Sequence, residues 1–140
     1  CELDQNYAPI RGKEKEIKVD VICLAVGLTP QTDLARMAGC RFEYINELGG
    51  FVPLHDEHME TTIPSIYVAG DTAGVEEAST AIDEGRISGI AAASSLTLIN
   101  KGKAEEKILQ IWERLNSLRS GPFGQNRQDA KKSLMKAREN

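Results

Sequence analysis

Residues 61–71 read Thr-Thr-Ile-Pro-Ser-Ile-Tyr-Val-Ala-Gly-Asp. The apolar run at 65–69 predicts a buried strand, and Gly70-Asp71 ends it. Glycine lets a ligand come close to the backbone, and the Asp71 carboxylate can accept a hydrogen bond from a ribose or ribityl hydroxyl. The same pair also ends strands that bind nothing, so the stretch by itself is compatible with a cofactor contact and with a plain turn.

A long helical pattern follows at 78–99. Small and apolar residues recur in it at intervals of three and four, and these are Ile82, Gly85, Gly89, Ala92, Ala93 and Leu96. Small side chains let a helix approach a sheet closely, which favours a strand, loop and helix unit. Extended cofactors bind at the carboxyl edge of such a sheet, where the helix amino terminus near Ala78 offers unpaired N–H groups to negative charge.

A second apolar run, at 18–26, predicts another strand that is buried on both faces. Residues 27–30, Gly-Leu-Thr-Pro, end this strand, either as a simple turn or as a further cofactor contact. Thr32 or Asp33 then caps a short helix that runs to Ala38. The upstream half of the chain therefore supplies one more strand for the sheet.

Together these segments predict an α/β fold in which a mainly parallel sheet is covered by the helix at 78–99, with C-terminal helices alongside. Residues 40–60 are predicted to be irregular or short-stranded. A sheet that contains so few strands leaves unpaired edges, which promote association. A homodimer of the chain is therefore one expectation.

The charge distribution divides the chain into two regions. Residues 1–100 hold 7 basic and 16 acidic side chains, whereas 101–140 hold 10 and 5. In the basic region, 104–118 predicts an amphipathic helix that Gly121-Pro122 ends, and its apolar face is interpreted as core rather than as a partner-binding face. The last twenty residues are either a solvated end or a segment that docks on an acidic surface.

Composition excludes several classes of protein. An acidic main body does not suit nucleic-acid binding, which depends on basic groups that neutralise phosphates. The longest apolar-leaning stretch, 87–99, is shorter than the roughly 20 residues that a membrane-spanning helix needs. We therefore expect no nucleic-acid partner and no membrane span.

The thiol and imidazole groups do not form a recognisable site. Cys1, Cys23 and Cys40 have no CxxC spacing, which disfavours a disulfide framework and a zinc site and fits a cytoplasmic protein. Residues 55–60 contain two histidines and three carboxylates, but they lack the HExxH order and a distant partner ligand. We predict neither a metal ion nor a catalytic cysteine.

Residues 61–71 resemble the second FAD motif of the two-dinucleotide-fold flavoproteins, the pyridine nucleotide-disulfide oxidoreductases and their amine-oxidising relatives. Residues 25–30 are similar to the segment that leaves the NAD-binding domain of that family and returns to the FAD domain. The combination of 70–75, 84–86 and 91–93 most resembles the alpha (large) subunits of opine oxidase, hydrogen cyanide synthase, dye-linked proline dehydrogenase and heterotetrameric sarcosine oxidase.

The resemblance, which covers about 18–100, implies a partial FAD/NAD(P)-binding, Rossmann-like fold. In that reading 1–100 is the C-terminal part of the FAD/NAD(P)-binding domain and 101–140 a basic helical extension. Strand 18–26 leaves the NAD domain, whereas strand 65–69 and helix 78–99 belong to the FAD domain.

The same resemblance implies the roles of individual residues. Gly70 and Asp71 contact the flavin ribityl chain, and Ala78, Ser79 and Thr80 lie near the pyrimidine edge of the flavin. FAD accepts a hydride, and the helix amino terminus favours that acceptance, so no residue of this chain is expected to be catalytic. Carboxylates facing the flavin would oppose this effect, and the neighbouring residues 76–77, both glutamates, are therefore predicted to point to solvent.

The chain contains no GxGxxG sequence, so it holds neither the FAD pyrophosphate loop nor an NAD(P) site. The absence of an initiator Met before Cys1 indicates a piece of a longer protein. The expected partners are the remaining domains of that flavoprotein and, as an option, a second subunit. The competing interpretation is a non-catalytic folded remnant or subunit-interaction module that does not bind FAD on its own.

Overall fold

Four helices and one small sheet are formed in the computed structural model, which describes residues 1–6, 8–121 and 124–139, with side chains to 138. In chain order they are α1 (Asp33–Met37), β1 (Phe42–Ile45), β2 (Gly50–Pro53), α2 (Ala78–Ser95), α3 (Lys101–Leu118) and α4 (Gln125–Glu139). Short 3-10 turns lie at Asn46–Leu48 and Gly70–Ala73. Pro122, part of the predicted stop after the third helix, lies outside the described residues.

The sheet is antiparallel. Strands β1 and β2 pair with Phe42 opposite Pro53 and Ile45 opposite Gly50. The turn between them needs Gly49, which has φ +89° and whose added Cβ would lie 3.0 Å from the Leu28 carbonyl oxygen. This hairpin forms within the segment that was predicted to be irregular or short-stranded, and the predicted parallel sheet is not formed in the described part of the chain.

The prediction of a buried strand at 18–26 is wrong for this chain. The segment is exposed throughout, with Leu24 80% and Val26 90% exposed, and it belongs to no strand. A strand needs neighbours to pair its N–H and C=O groups, and no other described segment of the chain lies beside this one to do so. The segment is apolar, as its sequence shows, and in this structure its apolar side chains are exposed.

The predicted strand at 65–69 folds back on its own upstream neighbours. Glu60 and Tyr67 form an isolated antiparallel bridge, and the Val68 N–H donates to the Met59 carbonyl at 2.9 Å. Ser65, with φ +65°, lies in the turn that reverses the chain. Val68 is buried as predicted, but its pairing is local and antiparallel.

Helix α2 begins at the predicted residue and ends at Ser95, before the predicted end at 99. Its buried face carries Thr80, Asp83, Glu84, Ile87 and Ala91 and packs against α3. The small-residue stripe instead faces outward, with Ile82 57% and Leu96 67% exposed. The stripe was predicted to cover a sheet. No described segment forms a sheet beside it, and the opposite face of α2 is the one that is buried.

Two hydrophobic clusters make up the core. The larger joins α2 and α3 and consists of Met59, Val68, Ala73, Ile87, Ala91, Ile108 and Leu115. The prediction that the apolar face of the 104–118 helix is core is thereby confirmed. The smaller cluster consists of Leu48, Val52, Leu54 and Leu134, so α4 is a packed helix rather than a solvated end.

Candidate functional site

The turn Gly70–Ala73 directly precedes the loop into α2, and the conformation of its first residue favours glycine. Gly70 has φ +62°, in the left-handed region that other residues rarely adopt. A Cβ on Gly70 would lie 3.2 Å from the Ala81 Cβ in the first turn of α2. The turn therefore rests directly against the start of the helix.

Asp71 presents a carboxylate to solvent at this turn. The residue is exposed, and its backbone carbonyl accepts a hydrogen bond from the Gly74 N–H at 3.2 Å. Its side-chain oxygens have no hydrogen-bond or ion-pair partner within the described ranges. The carboxylate is thus free to accept hydrogen bonds from a ligand.

A cavity of about 660 Å³ opens beside the turn. Tyr67, Val68, Ala69 and Thr72 line one side of it, and Leu34 of α1 lines the other. The Thr72 hydroxyl donates to the Gln31 carbonyl at 3.3 Å. This hydrogen bond joins the turn to the residue that follows the 27–30 segment, so the structure brings together the two stretches that the sequence singled out.

The amino terminus of α2 has no side-chain cap: the Glu77 side chain, at the N-cap position, makes no capping hydrogen bond to described residues. Ala78 is exposed and Ser79 half-buried. Thr80 is buried, and both its backbone N–H and its hydroxyl donate to the Glu77 carbonyl, at 3.1 and 2.7 Å. The start of the helix can therefore offer the N–H groups of its first residues to an acceptor, while Thr80 stabilises the first turn from inside.

Behind the turn lies a cluster of four ionised side chains, Glu76, Glu84, Arg119 and Lys131, called the buried ion cluster below. Each side chain is at most 6% exposed. Arg119 donates from Nε and Nη2 to the two carboxylate oxygens of Glu76, at 2.9 and 2.7 Å, and Nη2 also donates to Glu84 at 2.6 Å. Lys131 donates to Glu84 at 2.8 Å. Two negative and two positive charges are thus balanced out of solvent.

The buried ion cluster favours the charged form of the Arg119 guanidinium. Burial acts to lower its pKa, but the hydrogen bonds and charges of Glu76 and Glu84 outweigh burial and raise the pKa above its ordinary value. The guanidinium therefore stays charged, and it can hold two carboxylates at once because its donors form a planar fork.

The prediction that Glu76 points to solvent is wrong. Its side chain is 6% exposed and faces Arg119, whereas Glu77 is exposed as predicted. Arg119 is 43 residues away in the sequence, so no local pattern around Glu76 could indicate the ion pair. The positive charge of Arg119 balances the negative charge of Glu76 behind the turn.

From the sequence, Glu84 was noted only as part of the 84–86 resemblance and its ion pairs were not predicted, and Lys131 was not singled out. Glu84 lies on the buried face of α2 one residue after Asp83, and Lys131 precedes the buried Leu134 by one turn on α4. A charged residue in register with buried positions on a helix is the available signal, because such a residue needs an oppositely charged partner.

The segment 55–60 does not form a metal site in the described part of the chain, where no group of three or more potential ligands converges. His55 is buried, and burial together with the Lys131 charge lowers its pKa from 6.5 to about 3. The ring is therefore neutral, and Nδ1 donates to the Pro53 carbonyl at 2.9 Å. His58 instead pairs with Glu105 at 3.1 Å on the surface.

Residues 2–85 match the pyridine nucleotide-disulphide oxidoreductase family, to which the chain belongs. The family comprises redox enzymes that generally use FAD and NAD(P), and it implies a Rossmann-like α/β fold. The resemblance drawn from the sequence is confirmed.

Several relatives have curated names. An opine oxidase subunit of Agrobacterium tumefaciens (strain Ach5) is 37% identical over 95 residues, which are 68% of this chain and 19% of the relative. The corresponding opine oxidase subunit of Rhizobium meliloti (strain 1021) is 32% identical over 62% of this chain and 19% of its own length. NADH oxidase of Methanocaldococcus jannaschii is 35% identical over 49% of this chain and 16% of that protein.

The chain thus spans about a fifth of the length of the curated relatives it matches. No solved structure matches it significantly. Within the described residues, each helix is too short or too polar to cross a membrane.

Proposed function

We propose that this chain is the flavin-contacting, C-terminal part of an FAD-dependent oxidoreductase of the NAD(P)H-linked or amine and amino-acid dehydrogenase type. The observation that carries the proposal is the unpartnered Asp71 carboxylate, which stands on a glycine turn against an uncapped helix amino terminus. Asp71 would accept a hydrogen bond from a ribityl hydroxyl, and Gly70 would let the chain of the cofactor pass close to the backbone.

The start of α2 would face the pyrimidine edge of the flavin. Ala78 and Ser79 would present their backbone N–H groups to it, and Thr80 would keep the first turn rigid through its two hydrogen bonds to Glu77. When bound, FAD accepts a hydride from the reduced substrate. A helix terminus contributes about 0.3–1 kcal/mol at an exposed site and up to roughly 2 kcal/mol at a partly buried one, so it adjusts the cofactor rather than creating its reactivity.

The exposed apolar surface supports the view that this chain works together with further domains. The segment 18–26 is solvent-exposed on both faces, and the outer stripe of α2 carries exposed Ile82 and Leu96. Exposed apolar side chains that occur in groups are typical of interaction surfaces. The remaining domains of the parent flavoprotein are the proposed occupants, with 1–100 as part of the FAD/NAD(P)-binding domain and 101–140 as its helical extension.

The proposed compartment is the cytoplasm. Cys1, Cys23 and Cys40 are all free thiols, and the buried Cys40 donates to the Thr61 hydroxyl at 3.4 Å. Free thiols without disulfides fit a reducing environment.

Flavin titration tests the proposal. A polypeptide that contains this chain together with an upstream GxGxxG domain is expected to retain FAD, and Asp71→Ala is expected to weaken retention, measured as flavin absorbance per protein after desalting. Asp129→Ala, which removes an exposed carboxylate on α4, is the matched control and should leave retention unchanged.

Two results would contradict the proposal. Equal retention in the Asp71→Ala and Asp129→Ala variants would reject the role of Asp71. Failure of the longer polypeptide to bind FAD at all would favour a folded remnant or subunit-interaction module instead.

A further inference from the structure

The buried ion cluster holds the Gly70–Ala73 turn at both of its ends. At the first end, the Gly70 N–H donates to Glu84 Oε2 at 3.0 Å. At the last end, Lys131 Nζ donates to the Ala73 carbonyl at 2.7 Å. Glu84 and Lys131 also bind each other at 2.8 Å, so one ion pair closes a ring around the four-residue turn.

The ring and the rest of the buried ion cluster draw on two helices and on the residue that follows a third. Glu84 lies in the second turn of α2, and Lys131 lies in the second turn of α4. Arg119, the residue that follows α3, donates to the same Glu84 oxygen as Lys131 and fixes Glu76 in the loop between the turn and α2. The loop, the turn and the helix amino terminus are therefore all tied to the same four side chains.

Balanced charge and satisfied hydrogen bonds stabilise the ring. Two carboxylates and two cations balance, and every Glu84 oxygen accepts at least one hydrogen bond from an N–H group, from Gly70 to one oxygen and from Arg119 and Lys131 to the other. Buried ion pairs are tolerated when their hydrogen-bonding groups are satisfied in this way. Moving the turn would break a charge-assisted hydrogen bond at one end or the other.

We propose that Glu84 and Lys131 are positioning residues for the flavin-contacting turn, an inference that rests on the proposed function. They touch the backbone on either side of Asp71 and so set the direction in which its carboxylate points. Arg119 and Lys131 belong to the basic region 101–140, and through them this region contacts the turn and loop that precede α2 in the acidic region 1–100. The side chains that make these contacts are the buried Arg119 and Lys131, not the exposed basic residues of the same region.

A pair of lysine variants tests the inference. Lys131→Met removes the buried ammonium, and Lys132→Met removes the neighbouring exposed one, as the matched control. In the polypeptide that carries this chain with its upstream FAD domain, Lys131→Met is expected to speed hydrogen exchange of a peptide covering residues 66–75 about tenfold and to weaken FAD binding about tenfold, whereas Lys132→Met changes neither.

A double variant separates positioning from a general loss of stability. Glu84→Met combined with Lys131→Met leaves Glu76 paired with Arg119, so the remaining charges balance. The melting temperature is expected to rise above that of Lys131→Met alone, while exchange of the 66–75 peptide and FAD affinity remain impaired. A peptide from the interior of α3 reports global opening in the same experiment.

The outcomes distinguish this inference from the proposed function. Recovery of both exchange protection and FAD affinity in the double variant would show that the cluster only stabilises the fold and would overturn the inference. Unchanged exchange at 66–75 in Lys131→Met would overturn it as well. Hydrogen exchange is measured without flavin. If the Lys131→Met variant exchanges faster at 66–75 in a polypeptide that binds no FAD, Glu84 and Lys131 still position the turn, and only the proposed function is rejected.

Discussion

Replacement of Arg119 by Met is expected to destabilise this chain more than most single substitutions. The side chain is 2% exposed and makes three hydrogen bonds to carboxylates, at 2.9, 2.7 and 2.6 Å. Without it, Glu76 and Glu84 share the single cation of Lys131, and one negative charge is left buried. Removing one partner of a buried ion pair typically costs about 3–5 kcal/mol, and we expect a loss in this range.

Urea unfolding at pH 7, followed by far-ultraviolet circular dichroism, measures the effect. Arg41→Met, at an exposed arginine, is the control and should change the free energy of unfolding by less than about 0.5 kcal/mol. Arg119→Lys keeps the charge but loses the planar fork, so an intermediate loss of roughly 1.5–3 kcal/mol is expected. A loss below about 1 kcal/mol for Arg119→Met would refute the view that the cluster is a buried, charge-balanced unit.

Three further predictions concern single positions. Gly70→Ala is expected to lower the melting temperature, because a left-handed alanine costs roughly 1–2 kcal/mol and the new Cβ would lie 3.2 Å from the Ala81 Cβ. Gly85→Ala is the control at an open helical position, and it should raise the melting temperature. His55 has a folded-state pKa of about 3, so between about pH 6.5 and 3 the unfolded chain binds a proton that the folded chain does not. The His55 contribution to stability should therefore fall with decreasing pH, with a slope that approaches about 1.4 kcal/mol per pH unit well below 6.5 and disappears near pH 3. His55→Gln should flatten the stability measured by urea unfolding between pH 7 and 5. Leu24→Glu, at an 80% exposed apolar position, should reduce self-association measured by light scattering without lowering the melting temperature; persistent association would place the contact elsewhere.

The local pattern correctly predicted where α2 begins and which face of α3 is buried. Helix α2 begins at the predicted residue, and the apolar face of α3 is buried around Ile108 and Leu115 as its spacing indicates. One reason for glycine at position 70 was predicted from the sequence, which is the close approach of a ligand to the backbone, and that reason stays a prediction. The structure adds a second reason, which is contact with Ala81.

The strands predicted at 18–26 and 65–69 are not formed as predicted. The run at 18–26 has the composition of a buried strand, but strand formation depends on hydrogen bonds to another segment, and composition does not say where that segment is. The same reason explains the reversed face of α2. Its small-residue stripe has the spacing of a sheet-packing helix, but no sheet forms beside it in the described part of this chain.

Residue order and short-range spacing were enough to indicate the family of this protein, the positions of α2 and α3, and the glycine turn that carries Asp71. The folded structure was needed to show that the Glu76 side chain is buried, that Glu84 and Lys131 hold the turn at both ends, and that α4 contributes to the core. The hydrogen bonds of the buried ion cluster and the turn join residues from 14 to 58 positions apart. Charge pairing over such separations depends on how the helices pack, and a linear pattern does not contain that information.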